Sequence, residues 1–251
     1  MRMFLDLQYS KKHTERLDVY MPDGGDFTTI VYFHGGGLQY GCKNRTNYVE
    51  IAHSFVEQGY AFVSCDYRMY PNAKFPDYLV DGADAVAFVK ENLSTWGGNG
   101  KIIISGQSAG AWMSLMLCLD KTYLGGVGLD PLQIDGWLID SAQTTSHFNV
   151  LQKERVAHAF SQRIDEFAPL YFVDENTCFS KMLLIFYEQD MPMRPEQNLL
   201  FYKTVLAFNN AADIEYRQLS GGHTHGSEHK DDDEKYAFVK TALVWLKSKE
   251  L

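Results

Sequence analysis

What the chain lacks excludes several functions at once. Nowhere in its 251 residues is there an uncharged apolar run of about 18, the length a membrane-spanning helix needs, and Met1-Arg2-Met3-Phe4-Leu5-Asp6 lacks the apolar core of a secretory signal. Neither a membrane partner nor a signal peptide is expected. Cations are scarce: 23 Lys and Arg stand against 32 Asp and Glu, a net charge of −9, and no basic stripe stands out, which argues against nucleic acid and anionic lipid as partners. The four cysteines, Cys42, Cys65, Cys118 and Cys178, lie far apart with no CxxC pair, so they read as free thiols of a reduced, cytoplasmic protein. There is no repeat, low-complexity tract or interdomain linker, and with 45% hydrophobic residues the chain can bury one large core, so a single domain over 1–251 is expected.

What is present is an alternation of strand and helix signals. Phe4 to Tyr9 and Arg16 to Tyr20 alternate apolar and polar residues like antiparallel edge strands, and Thr28 to Phe33 is a more buried run. A helix over Asn44 to Gln58, a strand over Tyr60 to Asp66 and a helix over Asp77 to Asn92 follow. Further strands are expected at Lys101 to Ser105, Ile134 to Asp140, Met182 to Tyr187 and Ile214 to Leu219. Helices are expected at Ala109 to Cys118, Glu196 to Phe208 and near Glu234 to Leu246. This order predicts an α/β fold with a mostly parallel central sheet covered by helices on both faces. Adjacent elements are usually joined by about 2 to 6 residues, whereas Ser141 to Lys181 is far longer, so a small cap-like insert is expected at about 141–180. Val156, Phe160, Ile164 and Phe167 recur there at helical spacing, predicting one amphipathic helix over the strand ends.

The centre of the chain is Gly106-Gln107-Ser108-Ala109-Gly110, between a β-branched strand and a helix apolar almost all round. A strand that turns directly into a helix brings the two backbones together, so the positions two before and two after the serine must be nearly free of side chain. This context predicts that Ser108 is a nucleophile on a tight corner. A nucleophilic serine needs a base, and the base an orienting acid. His223 stands in Ser220-Gly221-Gly222-His223-Thr224-His225-Gly226, directly after the last strand, and is the first candidate for the base; His225 is the second, and His229 is nearby. Asp190, at the end of the strand before, is the first candidate for the acid and Asp140 the second. A rival reading makes the three histidines and Asp231-Asp232-Asp233 a metal site; the Asp run is better explained as the start of the last helix, where carboxylates suit the dipole, so neither metal nor cofactor is expected. His34-Gly35-Gly36-Gly37 leaves backbone N–H groups uncovered by Cβ atoms and able to face an anion.

With His34-Gly35-Gly36-Gly37, Asp66-Tyr67-Arg68 followed by Phe75-Pro76, the Ser108 pentapeptide, and Asp190 followed by Pro195-Glu196-Gln197, the chain resembles the α/β-hydrolase superfamily and, within it, the hormone-sensitive-lipase-like microbial carboxylesterases and acetyl esterases. The resemblance implies a serine hydrolase of short-acyl esters, with Gly36, Gly37 and Ala109 as the oxyanion hole and structural roles for His34, Asp66 and Arg68. Gln107 departs from the more usual Asp or His, and Ala111 from a frequent glycine. Pocket walls are expected from position at Leu38, Gln107, Trp112, Gln143, His147 and Phe148. The expected partner is a small-molecule ester, with a homodimer left open. The alternatives are a kynurenine formamidase-like amide hydrolase and a silent small-molecule binding protein on a hydrolase fold.

Overall fold

A computed structural model describes residues 1–154 and 162–251. Its sheet has eight strands: β1 (Arg2–Gln8), β2 (Arg16–Met21), β3 (Phe27–Phe33), β4 (Ala61–Cys65), β5 (Gly98–Gln107), β6 (Gly136–Asp140), β7 (Met182–Gln189) and β8 (Ile214–Gly222). Their order across the sheet is β1-β2-β4-β3-β5-β6-β7-β8, with β1 and β2 antiparallel to their neighbours and the other pairings parallel. The helices are α1 (Thr46–Glu57), α2 (Asp77–Trp96), α3 (Ala109–Leu119), α4 (Lys121–Gly125), α5 (Phe148–Glu154), α6 (Arg194–Phe208), α7 (His225–Glu228) and α8 (Ala237–Ser248).

The β-branched run of β5 explains why the sheet is covered twice. Successive side chains point to opposite faces, so Ile102 and Ile104 enter one apolar core while Ile103 enters the other. The first core takes α2, α3 and α6 through residues such as Val86, Met113 and Phe201; the second takes α1 and α8 through Phe55 and Trp245. A strand buried on both faces has no polar side, which is why Ile102 to Ile104 of β5 reads as a continuous apolar run; β2 is also buried after Arg16, its alternating polar residue Asp18 being covered and ion-paired to Lys43.

Two expected elements differ. The last helix begins at Ala237 rather than near Glu234, because Asp231 folds the preceding residues into a turn, its carboxylate accepting the N–H groups of Asp233 and Lys235 at 3.0 Å each. The Asp run therefore precedes that helix, and Asp231 and Asp233 are ion-paired to Lys240. In the insert after β6, Ile164 and Phe167 lie in an irregular turn, where Asp165 accepts the Phe167 N–H at 3.1 Å, and Val156 and Phe160 fall outside the described residues. The insert's described helical segments are α5 and a short 3-10 turn at Pro169–Phe172. The insert is fastened by the Trp112 indole N–H, donated to the Phe167 carbonyl at 3.0 Å, and by Thr144, which donates to the Gln197 carbonyl of α6 at 2.9 Å.

Candidate active site

In a parallel sheet all carboxyl ends lie on one rim, and the candidate site is built there. The rim carries the glycine loop after β3, Ser108 after β5, Asp140 at the end of β6, Asp190 after β7 and His223 after β8. Register aligns them. Gln107 pairs with Asp140 and Gln189 with Gly222, so Ser108 and Ser141 leave the sheet side by side, as do Asp190 and His223.

Ser108 is the single residue between β5 and α3, and its backbone has φ 53° and ψ −109°, a region that non-glycine residues rarely occupy. The flanking glycines are required sterically. A Cβ on Gly110 would stand 2.0 Å from the Phe33 carbonyl oxygen, and one on Gly106 would stand 2.4 Å from the Gly110 carbonyl carbon. The Ser108 N–H donates to the Asp140 carbonyl at 2.8 Å, and its own carbonyl accepts the Trp112 N–H at 2.9 Å.

The Ser108 hydroxyl lies 2.9 Å from Nε2 of His223, and Nδ1 of that ring is hydrogen-bonded to Oδ1 of Asp190. The His223 side chain is 26% exposed and the Asp190 side chain is fully buried. Asp190 Oδ1 also accepts the Met191 N–H at 2.7 Å, and Oδ2 accepts the Ser141 hydroxyl at 2.8 Å. Burial pushes the Asp190 carboxyl upward, but the bond and charge of His223, the charge of Arg194 and the Ser141 bond outweigh it and hold the pKa below the ordinary value. An ionised Asp190 can only accept, so Nδ1 carries the proton and Nε2 is left to accept from Ser108. Arg194 is buried and donates to the Ser141 carbonyl; burial lowers its pKa to about 10, opposed by Asp190.

The second candidates go elsewhere. Asp140 is buried and receives the hydroxyls of Tyr187 at 3.0 Å and Ser227 at 2.7 Å rather than the imidazole; burial raises its pKa to about 7 despite those two bonds. His225 stacks on His229 with centroids 4.7 Å apart. The residues of the rival metal reading are placed apart: its histidines are divided between Ser108 and this stack, two of its aspartates, Asp231 and Asp233, are paired with Lys240, and no group of three potential ligands forms among the described residues.

The glycine loop starts at His34, whose carbonyl, with that of Phe33, packs on Gly110. Gly36 has φ +122°, and a Cβ there would stand 1.8 Å from the Tyr40 carbonyl oxygen. Among the described residues the Gly36 and Gly37 N–H groups make no hydrogen bond, and Ala109, opening α3, has no carbonyl one turn earlier to take its N–H. Asn149 of α5 holds the loop from the other side by donating to the Gly37 carbonyl. His34 is buried and stacked on Tyr67 at 4.4 Å, and burial lowers its pKa to about 4, so it packs as a neutral ring. Asp66 accepts the Lys43 N–H at 2.6 Å, and Arg68 is paired with Asp81 at 2.7 Å.

Most of the expected pocket walls turn inward. Leu38 is wholly buried, with its carbonyl accepting the Tyr70 N–H at 2.9 Å. Gln107 is engaged at both ends of its amide by Tyr48 and Ser227. Trp112 and His147 pack on each other at 5.2 Å inside the core, and Gln143 donates to the Ser146 carbonyl at 2.8 Å. Only Phe148 is half-exposed, its ring against Gly37. Sequence position alone says that a residue follows a strand end, not which way it faces. Ser141, Asn149 and Arg194 were missed because their partners are known only once strands are in register.

The BD-FAE family model matches residues 17–127, a stretch that includes the glycine loop and Ser108 but neither Asp190 nor His223. A kynurenine formamidase of Scheffersomyces stipitis is 26% identical over 144 residues, 56% of this chain and 52% of that protein. The carboxylesterase NlhH of Mycobacterium tuberculosis is 34% identical over 98 residues, 39% of this chain and 30% of that protein. The chain thus spans about half the length of the first relative and less of the second. Among solved structures, propionate-bound Est2, an esterase of Thermogutta terrifontis, superposes with a TM-score of 0.78 at 19% identity, covering 98% of this chain and 93% of that one. Such likeness establishes a shared fold.

Two outcomes follow from this geometry. Gly110→Ala puts a methyl into the Phe33 carbonyl and should lower stability in chemical denaturation by about 1 to 3 kcal/mol or more; an unchanged midpoint would mean that strand and helix are not in contact. Asp140, at about 7 when folded and about 3.9 when unfolded, keeps a proton that the unfolded chain has released, so its contribution to stability falls as pH rises through that window. Asp140→Asn cannot titrate, and thermal melts at about pH 5 and pH 8 should show a smaller drop for the variant than for the parent.

Proposed function

We propose that the chain, which shares the fold of known esterases, is a member of the α/β-hydrolase superfamily and a serine hydrolase cleaving carboxylic esters of short acyl groups through an acyl-enzyme. The observation that carries this reading is the unbroken relay from the Ser108 hydroxyl through His223 to the buried Asp190. As Ser108 Oγ attacks the ester carbonyl, His223 Nε2 takes its proton, and Asp190 stabilises the imidazolium by its charge and holds the tautomer. The tetrahedral oxygen faces the N–H groups of Gly36, Gly37 and Ala109. Losing one such donor typically raises the barrier by about 2.7 to 4 kcal/mol. His223 then gives the proton to the departing alcohol, and water repeats the sequence on the acyl-enzyme. Because Ser108 already sits on a φ that serine disfavours, the hydroxyl needs no rearrangement to reach its base.

A short acyl group fits the modest insert at about 141–180 and the Phe148 ring beside Gly37, and the related Est2 was solved with propionate. A second reading, amide cleavage as in a kynurenine formamidase, is favoured by the match to the Scheffersomyces stipitis enzyme and uses the same relay. The four cysteines are free, which fits the reducing cytoplasm we assign to the protein, and no helix among the described residues is long and apolar enough to cross a membrane.

Ser108→Ala should abolish p-nitrophenyl acetate hydrolysis with the circular dichroism spectrum and melting temperature retained; full residual turnover would remove Ser108 from the mechanism. In a chain-length series, acetate or butyrate should be cleaved faster than octanoate. Parallel assays with N-formylkynurenine decide between ester and amide, the formamidase reading requiring the higher kcat/KM on the amide.

A further inference from the structure

Beneath the Ser108 corner lies a buried polar chain to which none of the reacting groups belongs. Tyr48 of α1 donates to Gln107 Oε1 at 2.6 Å, Gln107 Nε2 donates to Ser227 Oγ at 2.7 Å, and Ser227 donates to Asp140 Oδ2 at 2.7 Å. Tyr187 donates to the other Asp140 oxygen at 3.0 Å. All five side chains are buried, and none is left with an unpartnered polar atom. The Ser227 hydroxyl also lies 3.0 Å from the Thr224 carbonyl, but the Asp140 oxygen is the shorter contact, and with Tyr187 on its other oxygen Asp140 is the end of the chain.

Three members of this chain, Gln107, Asp140 and Ser227, are tied by sequence or backbone to the reacting residues or their partners. Gln107 immediately precedes Ser108. Asp140 takes the Ser108 N–H on its carbonyl and immediately precedes Ser141, whose hydroxyl is bonded to Asp190. Ser227 stands one turn after His223. The segment after His223 is clamped at two successive residues: a Cβ on Gly226 would stand 2.7 Å from the Tyr187 hydroxyl, and Ser227 is held by Gln107 and Asp140 from its side chain and by Asn47, at 2.9 Å, from its carbonyl. Burying this many polar groups stabilises less than apolar residues of the same volume would; what hydrogen bonds add is direction.

We infer that Ser227 is a positioning residue: by bridging Gln107 and Asp140 it fixes the loop that carries His223 against the residue before Ser108, keeping the imidazole within 2.9 Å of the hydroxyl. The catalytic consequence rests on the ester-hydrolase reading above; the tie itself does not. Misplacing a base by an ångström or less affects the chemical step and leaves ground-state binding largely intact.

The test is Ser227→Ala. Its kcat for p-nitrophenyl acetate should fall about 10- to 100-fold while KM changes less than about twofold. The low-field proton of the His223–Asp190 bond, assigned by its loss in His223→Ala, should move or broaden in the 1H NMR spectrum. Gln107→Leu removes the other side of the bridge and should act likewise, and the double variant should be no worse than the more damaged single variant. Ser64→Ala, which deletes an equally buried hydroxyl donating to the Lys43 carbonyl at 2.8 Å, should change neither kcat nor the signal. Parental kcat with an unmoved proton signal in Ser227→Ala overturns the inference, as do losses that multiply in the double variant. Should Ser227→Ala not fold, Gln107→Leu decides by the same two measurements. If the parent protein cleaves no ester, the hydrolase reading falls, and the proton signal still decides whether Ser227 holds His223.

Discussion

The close approach of Gly110 to the Phe33 carbonyl is the contact on which the rest depends. It lets β5 pass into α3 through one residue, and that residue is forced into a backbone conformation that costs of order 1 to 3 kcal/mol. Such strain persists only where the surroundings over-determine it. Here the Gly106–Gly110 contact, the Ser108 N–H bond to Asp140 and the first helical bond from Trp112 do so together. The same contact fixes the end of β3, and with it the start of the glycine loop. Nucleophile and anion-facing amides are therefore not two sites brought together by chance. They are two sides of one packed junction.

Electrostatics then separates the two carboxylates that sequence position offers as first and second candidates for the acid. Asp140 and Asp190 both end rim strands and both are buried, yet their pKa values move in opposite directions. Burial pushes both upward, and partners decide the outcome. Asp190 has a titratable imidazole, a hydroxyl and the nearby positive charge of Arg194; Asp140 has two neutral hydroxyls and the negative charges of Asp190 and Glu228 close by. Two like groups driven apart by their environments take different work: one stays charged to orient a base, the other is an uncharged or weakly acidic anchor for hydroxyls near neutral pH.

What could be read from the sequence was whatever is decided locally. The doubly buried strands, the glycines around Ser108, the order of the elements and the rim positions of Asp190 and His223 all follow from short-range patterns. The unread features depend on register or on side-chain direction. Gln107 looked like a pocket residue because it adjoins Ser108, but its amide is taken up by Tyr48 and Ser227. Trp112 and His147 follow rim elements and nevertheless fill the core. The insert's helical spacing misled at Ile164 and Phe167, because a side chain from within the segment, Asp165, closes a turn that periodicity does not describe.

Three reacting groups from three separate strand ends raise a question of precision. Parallel pairing sets their places to within a strand spacing of about 4.8 Å, whereas proton transfer needs heavy atoms about 3 Å apart. The difference must be made up by bonds that cross between loops. Ser108 N–H to Asp140, Ser141 to Asp190, and Gln107 through Ser227 to Asp140 each tie a reacting residue, or a residue close to one in sequence, to the end of β6. Singly, such bonds contribute about 1 kcal/mol. Joined at the end of β6, they restrain all three loops relative to one strand, so a displacement of any one loop must break bonds held by the other two. β6 contributes no reacting side chain, and for that reason its end is free to serve as the common reference for those that do.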